Sequence, residues 1–126
     1  DYEQIPNVIF TAPEVACVGR TEAACRAAGM DVKVSTFPFS ANGKAQIMGE
    51  GVGFVKLVCD ARTQKLLGGV IVGPDASALI STVTAALSAG LTAQALSDVI
   101  FAHPTTSEAI QESALGLGVG MLHFHS

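Results

Sequence analysis

GFVKLVCDARTQKLLGGVIV, residues 53–72, is the stretch that decides the fold. It holds two apolar runs, residues 53–60 and 65–72, which flank a short polar loop at residues 61–64. Apolar runs of this length, rich in valine and leucine and separated by a few polar residues, are typical of two antiparallel strands in a hairpin. We therefore predict that an antiparallel sheet contains this hairpin.

The residues before the hairpin predict further strands and one short helix. Pro13 interrupts the first apolar run, because a proline cannot donate to a ladder of backbone hydrogen bonds. Thr21 is predicted to cap the start of the helix, which ends at Gly29. The predicted strands are residues 7–11, 15–19 and 31–38.

After the hairpin, the apolar residues change from strand spacing to helical spacing. A long helix is predicted to end at Gly90, a shorter one to run from Thr92 to about residue 99, and a third to open at Thr105. The apolar positions of the long helix are Ala76, Leu79, Ile80, Val83 and Leu87. Strands in the first half and helices in the second predict an α+β fold, with an antiparallel β-sheet covered by a layer of helices.

Composition indicates one domain with an unusually neutral surface. Of the 126 residues, 49% are hydrophobic and only 14% are charged, whereas typical soluble domains are about 25% charged. Either many surface positions are small and neutral, or part of the surface is buried against a partner. No apolar run approaches the roughly 20 residues of a membrane span. A net charge of −4 without a basic cluster argues against nucleic acid as a partner.

Neither the cysteines nor the last histidines form a metal-binding pattern. Cys17, Cys25 and Cys59 show no C-x-x-C spacing, so we expect small buried side chains in a reducing compartment, without disulfides or zinc. His123 and His125 offer two imidazoles without a third ligand, which is not a metal site. With no secretory signal visible, the sequence predicts a cytoplasmic protein without a metal.

Glycines before the first hairpin strand resemble a nucleotide-binding loop only superficially. Gly49, Gly51 and Gly53 alternate with other residues, but a dinucleotide fingerprint needs a strand before it and a helix after it, and here a strand follows. We therefore expect no cofactor to be bound by this chain alone.

His103 and Glu108 are the residues that could carry chemistry. Glu108 lies three positions after Thr105, so it suits the third position of a capping box at the start of the last helix. Alternatively, Glu108 accepts a hydrogen bond from one imidazole nitrogen of His103 and leaves the other facing a reacting proton, as a general acid–base requires. Pro104 would hold the backbone between them. The spacing leaves both interpretations open.

Four separated motifs resemble the pyridine-nucleotide disulfide oxidoreductase family. HPTTSEA at residues 103–109 is similar to the family's C-terminal motif, in a form most like the dihydrolipoamide dehydrogenase branch. The others, in the family's order, are IPNVIFTAPEVACVG at 5–19, FPFSANGKA at 37–45 and LGGVIVGP at 67–74. The resemblance covers nearly the whole chain and implies that residues 1–126 form the single dimerisation (interface) domain of a larger flavoenzyme.

The resemblance also implies an active site shared between two chains. In this family an FAD domain with a redox-active cysteine pair and an NAD(P) domain accompany the dimerisation domain, and the histidine of one subunit reaches the disulfide and flavin of the other. Carried over, His103 takes and returns the dithiol proton, Glu108 orients it, and His103 and Pro104 lie near the partner's flavin. The expected partners are a second copy, giving a homodimer, and the parent's FAD and NAD(P) domains. The family usually has a cis bond at this histidine–proline step, and the isolated domain is expected to be inactive.

Three positions bear on the branch of the family. The family often has a histidine where Phe101 stands and a glutamate where Ala78 stands, so a polar interface contact at Ala78 is not carried over. Ala109 follows the motif's glutamate, whereas glutathione-reductase-like members tend to have a second acidic residue there. The paired C-terminal cysteines of mercuric reductases are absent. These features favour the lipoamide branch; the alternative to an enzyme is a stand-alone interaction module that kept the fold without the chemistry.

Overall fold

The computed structural model describes residues 4–42, 52–73, 75–99 and 107–118, which contain a five-stranded antiparallel sheet. The strands are β1 (Asn7–Ile9), β2 (Glu14–Gly19), β3 (Val32–Pro38), β4 (Phe54–Asp60) and β5 (Leu66–Gly73). Their spatial order is β1-β2-β5-β4-β3, and each neighbouring pair is antiparallel. The hairpin predicted from residues 53–72 is the pair β4–β5, so this prediction is confirmed.

Four α-helices and one short 3-10 helix (Phe39–Ala41) are found in the described residues. The α-helices are α1 (Glu22–Ala27), α2 (Ala76–Ser88), α3 (Ala93–Ser97) and α4 (Glu108–Gly116). Helix α2 packs against β2 and β5, α4 packs against β3 and β4, and both contribute to one core cluster. The predicted α+β fold, an antiparallel sheet covered by helices, is confirmed. None of these helices is long and apolar enough to cross a bilayer.

The register of the sheet decides which side chains the helices cover. Ala16 pairs with Ile71, and Ile71 pairs with Val55, so the three side chains point to the same face. All three are fully buried, together with Ile80 of α2 and Ile110 of α4. The main core therefore lies between this face and the α2–α4 layer.

Helix α1 lies on the opposite face of the sheet, which the sequence did not predict. Its Cys25 packs with Val32 of β3 and Val58 of β4 in a second, smaller cluster. Val58 is next in sequence to Leu57, which belongs to the main core, and neighbouring residues of a strand point to opposite faces. Helices therefore contact both faces of the sheet.

Capping residues are present at both ends of α1 and on both sides of the turn between α2 and α3. The hydroxyl oxygens of Thr21 and Thr92 each accept a hydrogen bond from the backbone N–H three residues on, at 3.0 and 3.1 Å. Gly29 and Gly90 have φ angles of 75° and 68°, in the left-handed region required just after a helix. The predicted cap at Thr21 and the predicted helix ends at Gly29 and Gly90 are confirmed, and Thr92, which was predicted to begin the next helix, caps it.

Gly69 of β5 lets α2 lie close to the sheet. A Cβ on this residue would lie 2.9 Å from Cγ1 of Val83 in α2 and 3.0 Å from Cδ2 of Leu57 in β4. These distances are shorter than ordinary contact, so a side chain would push α2 outward or distort its neighbours.

The turn between α2 and α3 is joined to the β4–β5 hairpin. The N–H of Leu66 donates to the carbonyl of Leu91 at 3.0 Å, and the N–H of Ala93 donates to the carbonyl of Gln64 at 2.8 Å. The start of α3 is therefore fixed to the start of β5.

The strand boundaries on either side of Pro13 differ from the predicted ones by one or two residues. Strand β1 ends at Ile9 instead of residue 11, and the Ala12–Pro13 peptide bond that follows it is cis. Glu14 opens β2 one residue earlier than predicted, because it pairs with Gly73 at the end of β5. The interruption that the proline predicted is confirmed, but its extent was underestimated.

Candidate functional site

Helix α4 is anchored on the sheet by buried side chains and by a hydrogen bond to β3. Ala109, Ile110 and Ala114 have 0–1% of their surface exposed and pack into the main core. The hydroxyl of Ser113, which is fully buried, donates to the carbonyl of Ser35 in β3 at 3.1 Å. These contacts fix the position of the helix, so its first residue is presented from a rigid element.

Glu108 is that first residue of α4, and its side chain is half-buried. The predicted capping box put Glu108 at the third helical position, and this part of the prediction is wrong. Ser107 is the residue before the helix, and its side chain makes no capping hydrogen bond. A carboxylate in the first turn interacts favourably with the positive end of the helix dipole. Glu108 therefore offers a negative charge at a fixed point on the helix layer.

The other predicted site residues lie outside the described residues. His103 and Pro104, with the expected cis bond between them, fall in the part of the chain between Val99 and Ser107. Thr105 falls there as well. The pairing of His103 with Glu108 therefore stays a prediction.

Gln111 joins α4 to the end of α3, a role that no pattern in the sequence predicts. Its Nε2 atom donates to the carbonyl oxygens of Ser97 and Val99, both at 2.9 Å. Gln111 follows Glu108 by three positions, so the two side chains lie on the same side of the helix. Glu112, also missed, is a buried carboxylate with 4% of its surface exposed.

Helix α2 has no charged side chain, although one of its sides faces outward. Ala78, Ser81 and Ala85 are exposed on that side. The helix is capped from β2: Oε1 of Glu14 accepts a hydrogen bond from the backbone N–H of Ser77 at 3.0 Å, while Asp75 makes no side-chain cap. Hydrogen bonds from the backbone and then the hydroxyl of Ser77 lower the pKa of Glu14.

The described cysteines are free thiols, and two of the three are buried, as the sequence predicted. Cys25 and Cys59 are fully buried, and burial raises the pKa of the Cys59 thiol, which keeps it protonated and unreactive. Cys17 is only half-buried, because its side chain points to the less covered face of the sheet, so the expectation of burial was wrong for this residue.

A groove of about 480 Å³ lies on that face, beside α1 and away from Glu108. Glu22 bridges its walls, with one oxygen 2.9 Å from Nζ of Lys56 and the other 3.0 Å from Arg26. Hydrogen bonding to Lys56 and then to Arg26 lowers the pKa of Glu22. Among the described residues no three His, Cys, Asp or Glu side chains come together as a metal site. In the groove, the carboxylate of Glu22 is therefore paired with the two cations, Lys56 and Arg26.

Comparison with known proteins identifies the domain. Residues 5–114 match the sequence profile of the "Pyridine nucleotide-disulphide oxidoreductase, dimerisation domain". The dihydrolipoyl dehydrogenase of Thermus scotoductus is 47% identical over 120 residues, which are 95% of this chain and 26% of that protein. The dihydrolipoyl dehydrogenase of Chlamydia muridarum is 46% identical over 115 residues, which are 91% of this chain and 25% of that protein.

Solved structures show the same fold. LpdA from Mycobacterium tuberculosis superposes with a TM-score of 0.88 at 30% identity, covering 93% of this chain and 26% of that one. The HOCl-induced flavoprotein disulfide reductase RclA from Escherichia coli superposes with a TM-score of 0.83 at 34% identity, covering 87% and 25%. This chain thus spans about a quarter of the length of the relatives it matches. Since the profile covers nearly all of it, the chain belongs to the dimerisation-domain family of the pyridine nucleotide-disulphide oxidoreductases.

Proposed function

We propose that this chain is the single dimerisation domain of a longer flavoprotein disulfide reductase, called the parent below, of the dihydrolipoyl dehydrogenase type. In the parent, it supplies His103 and Glu108 to the active site of a second copy. The observation that carries the proposal is the position of Glu108 at the start of an anchored helix, five residues after His103. Relatives at 46–47% identity that are named dihydrolipoyl dehydrogenases support the same reaction class.

The role proposed for His103 is proton transfer during thiol–disulfide exchange. Its imidazole accepts a proton from one thiol of the substrate dithiol, and the resulting thiolate attacks the parent's disulfide. One S–S bond forms while the other breaks, and the sulfur that leaves takes the electron pair. The proton held on His103 then passes to that thiolate, so charge and protons balance.

Glu108 would accept a hydrogen bond from the second imidazole nitrogen. This contact fixes the tautomer of His103 and stabilises the imidazolium that forms when the proton is held. Ala109, the next residue, is fully buried in the core, so an acidic side chain there would place a charge in an apolar environment. The helix therefore suits a single orienting carboxylate, as in the lipoamide branch.

In the parent, FAD and NAD(P), which bind to other domains, would carry the electrons. The described residues fit this division of roles, because the backbone after Gly53 continues as strand β4, and a dinucleotide loop requires a helix there. This chain's own contribution is to hold and move a proton, and the isolated domain would be inactive and bind no cofactor.

The outward side of α2 is the proposed homodimer contact. Ala78, Ser81 and Ala85 are exposed there, and the helix has no charged residue that would lose hydration on association. Small side chains also allow two helices to approach closely. A glutamate at Ala78, as in other members of the family, is not required for such a contact.

A reducing compartment, and so the cytoplasm, is the proposed location. The described cysteines are free thiols, and two of them are fully buried as small apolar side chains. Free buried thiols persist where disulfides do not form.

Mixed dimers of the parent test the proposal. One chain carries His103→Gln and the other lacks its redox-active cysteine, each with its own purification tag. If His103 acts in the partner's site, the mixed dimer keeps one intact site and up to half of the wild-type turnover. If His103 acts within its own chain, both sites are dead and the mixed dimer is inactive, which would contradict the proposal.

Turnover of the uniform variants completes the test. His103→Gln should lower turnover by about 10²–10⁴-fold, the usual contribution of a general acid–base, while flavin binding survives. Glu108→Gln should lower it less, because the amide still accepts a hydrogen bond. Glu22→Gln, on the opposite face of the sheet, is the matched control and should keep normal turnover.

A further inference from the structure

We propose that Gln111 is a positioning residue for the acid–base pair, because its amide ties the backbone that leads to His103 to the helix that begins at Glu108. This proposal rests on the proposed function of His103 and Glu108. Gln111 itself touches neither substrate nor cofactor; it acts through the backbone that it holds.

Both donors of the Gln111 amide are used in this contact. A primary amide nitrogen carries two hydrogens, and here it meets two carbonyl oxygens at 2.9 Å each. Ser97 is the last residue of α3, so its carbonyl has no partner within the helix. Gln111 supplies that partner from another helix and at the same time binds Val99, two residues further on.

Val99 depends on hydrogen bonds for its position. The residue is 44% exposed, so burial of apolar surface does little to hold it. Its N–H donates to the carbonyl of Leu96 at 3.2 Å, and its carbonyl accepts from Gln111. Removing the Gln111 donors would therefore release the last described backbone group before His103.

The other end of the contact is rigid. Helix α4 is held by its core residues and by the Ser113–Ser35 hydrogen bond, and the N–H of Ile110 donates to the carbonyl of Ser107 at 3.0 Å. Gln111 thus ties Val99, which precedes His103 in the chain, to α4, which follows it. An acid–base pair must keep hydrogen-bond geometry, and a displacement of about 1 Å can cost about 10²-fold in rate.

Gln111→Glu in the full-length parent is the main test. The carboxylate has nearly the same shape, but it replaces both donors by an acceptor and faces two carbonyl oxygens. We expect kcat to fall about 10–100-fold while KM for the nicotinamide nucleotide is unchanged, because that nucleotide would bind on another domain. Gln64→Glu, the same change in the β4–β5 loop, is the matched control and should leave both constants unchanged.

Gln111→Arg is the rescue variant. The arginine Nε lies the same number of bonds from Cα as the glutamine Nε2, and the guanidinium has donors only. It should restore most of the lost kcat, which a general loss of stability would not predict. Gln111→Ala, a truncation at a half-exposed position, gives a second loss-of-donor variant that does not introduce repulsion.

Hydrogen exchange tests whether Gln111 holds the backbone, and turnover tests whether that backbone matters for the reaction. Loss of the donors should increase amide exchange in α3 and at Val99 and leave β4 and β5 unchanged. Faster exchange with unchanged kcat would overturn the positioning role, as would unchanged exchange in both variants. If His103→Gln in the same parent keeps normal turnover, the proposed function fails instead.

Discussion

Helices α2 and α4 pack on the same face of the sheet, yet their polar side chains differ in number and in role. Helix α2 has 13 residues and no charge, and its outer positions are alanine and serine. Helix α4 has nine residues, starts with Glu108 and uses Gln111 and Ser113 to bind backbone carbonyls of α3 and β3. The difference fits the proposal that α2 provides the homodimer contact, whereas α4 holds polar groups in fixed positions.

The largest expected effect comes from a charge on the contact helix. Ala85→Arg should weaken the parent dimer more than 100-fold, since an uncompensated charge buried at an interface costs about 3–5 kcal/mol. Sedimentation over a concentration series measures this constant. Ala27→Arg, at an exposed position of α1 on the other face, is the control. An undiminished dimer in Ala85→Arg would mean that α2 is not the contact.

A smaller effect, on stability, is expected from displacing α2 without adding a charged residue to it. Gly69→Ala would place a Cβ 2.9 Å from Val83, and overpacking of this kind typically costs about 1–3 kcal/mol. The urea midpoint of the parent should fall, with faster hydrogen exchange in α2 than in α4. Gly118→Ala, where the nearest atom is 3.9 Å away, should have little effect. Equal changes in both helices would mean that the displacement is not confined to α2.

The smallest effect is expected at the cap of α2. The pKa of Glu14 is lowered from its usual value of 4.5, because its carboxylate accepts hydrogen bonds from the backbone and hydroxyl of Ser77. A lowered native pKa stabilises the fold above the unfolded value, and this contribution is lost as the pH falls through the native value. Glu14→Gln should therefore flatten the fall of stability as the pH drops below the usual glutamate pKa of 4.5. Denaturation at several pH values measures this, and an unchanged slope would contradict it.

Much of the fold was accessible from the sequence because the relevant signals are local. The β4–β5 hairpin is encoded by two apolar runs and a short loop, and the caps at Thr21 and Gly29 depend on a few neighbouring residues. The pairing of β2 with β5 joins residues about fifty positions apart, and no local pattern specifies that choice. The position of α1 on the opposite face likewise follows from packing with Val32 and Val58.

The candidate site was accessible only in part. Glu108 was identified from its spacing and from the resemblance, but its helical position was misassigned because the capping-box pattern favours a start at Thr105. Gln111 was missed because a side chain that binds distant carbonyls leaves no periodic signal. Its partners, Ser97 and Val99, lie 14 and 12 residues away in sequence. Such contacts exist only once α3 and α4 are side by side.

Helix α3 is bound at both ends, at its start through Ala93 to the hairpin and at its end through Ser97 to Gln111. With five residues it acts as a spacer of fixed length. Each residue of a helix turns the chain by about 100° and advances it by about 1.5 Å. Inserting or deleting one residue would therefore redirect the backbone that continues toward His103, even if every side chain around it were kept. The number of residues in α3 is thus more constrained than their identity.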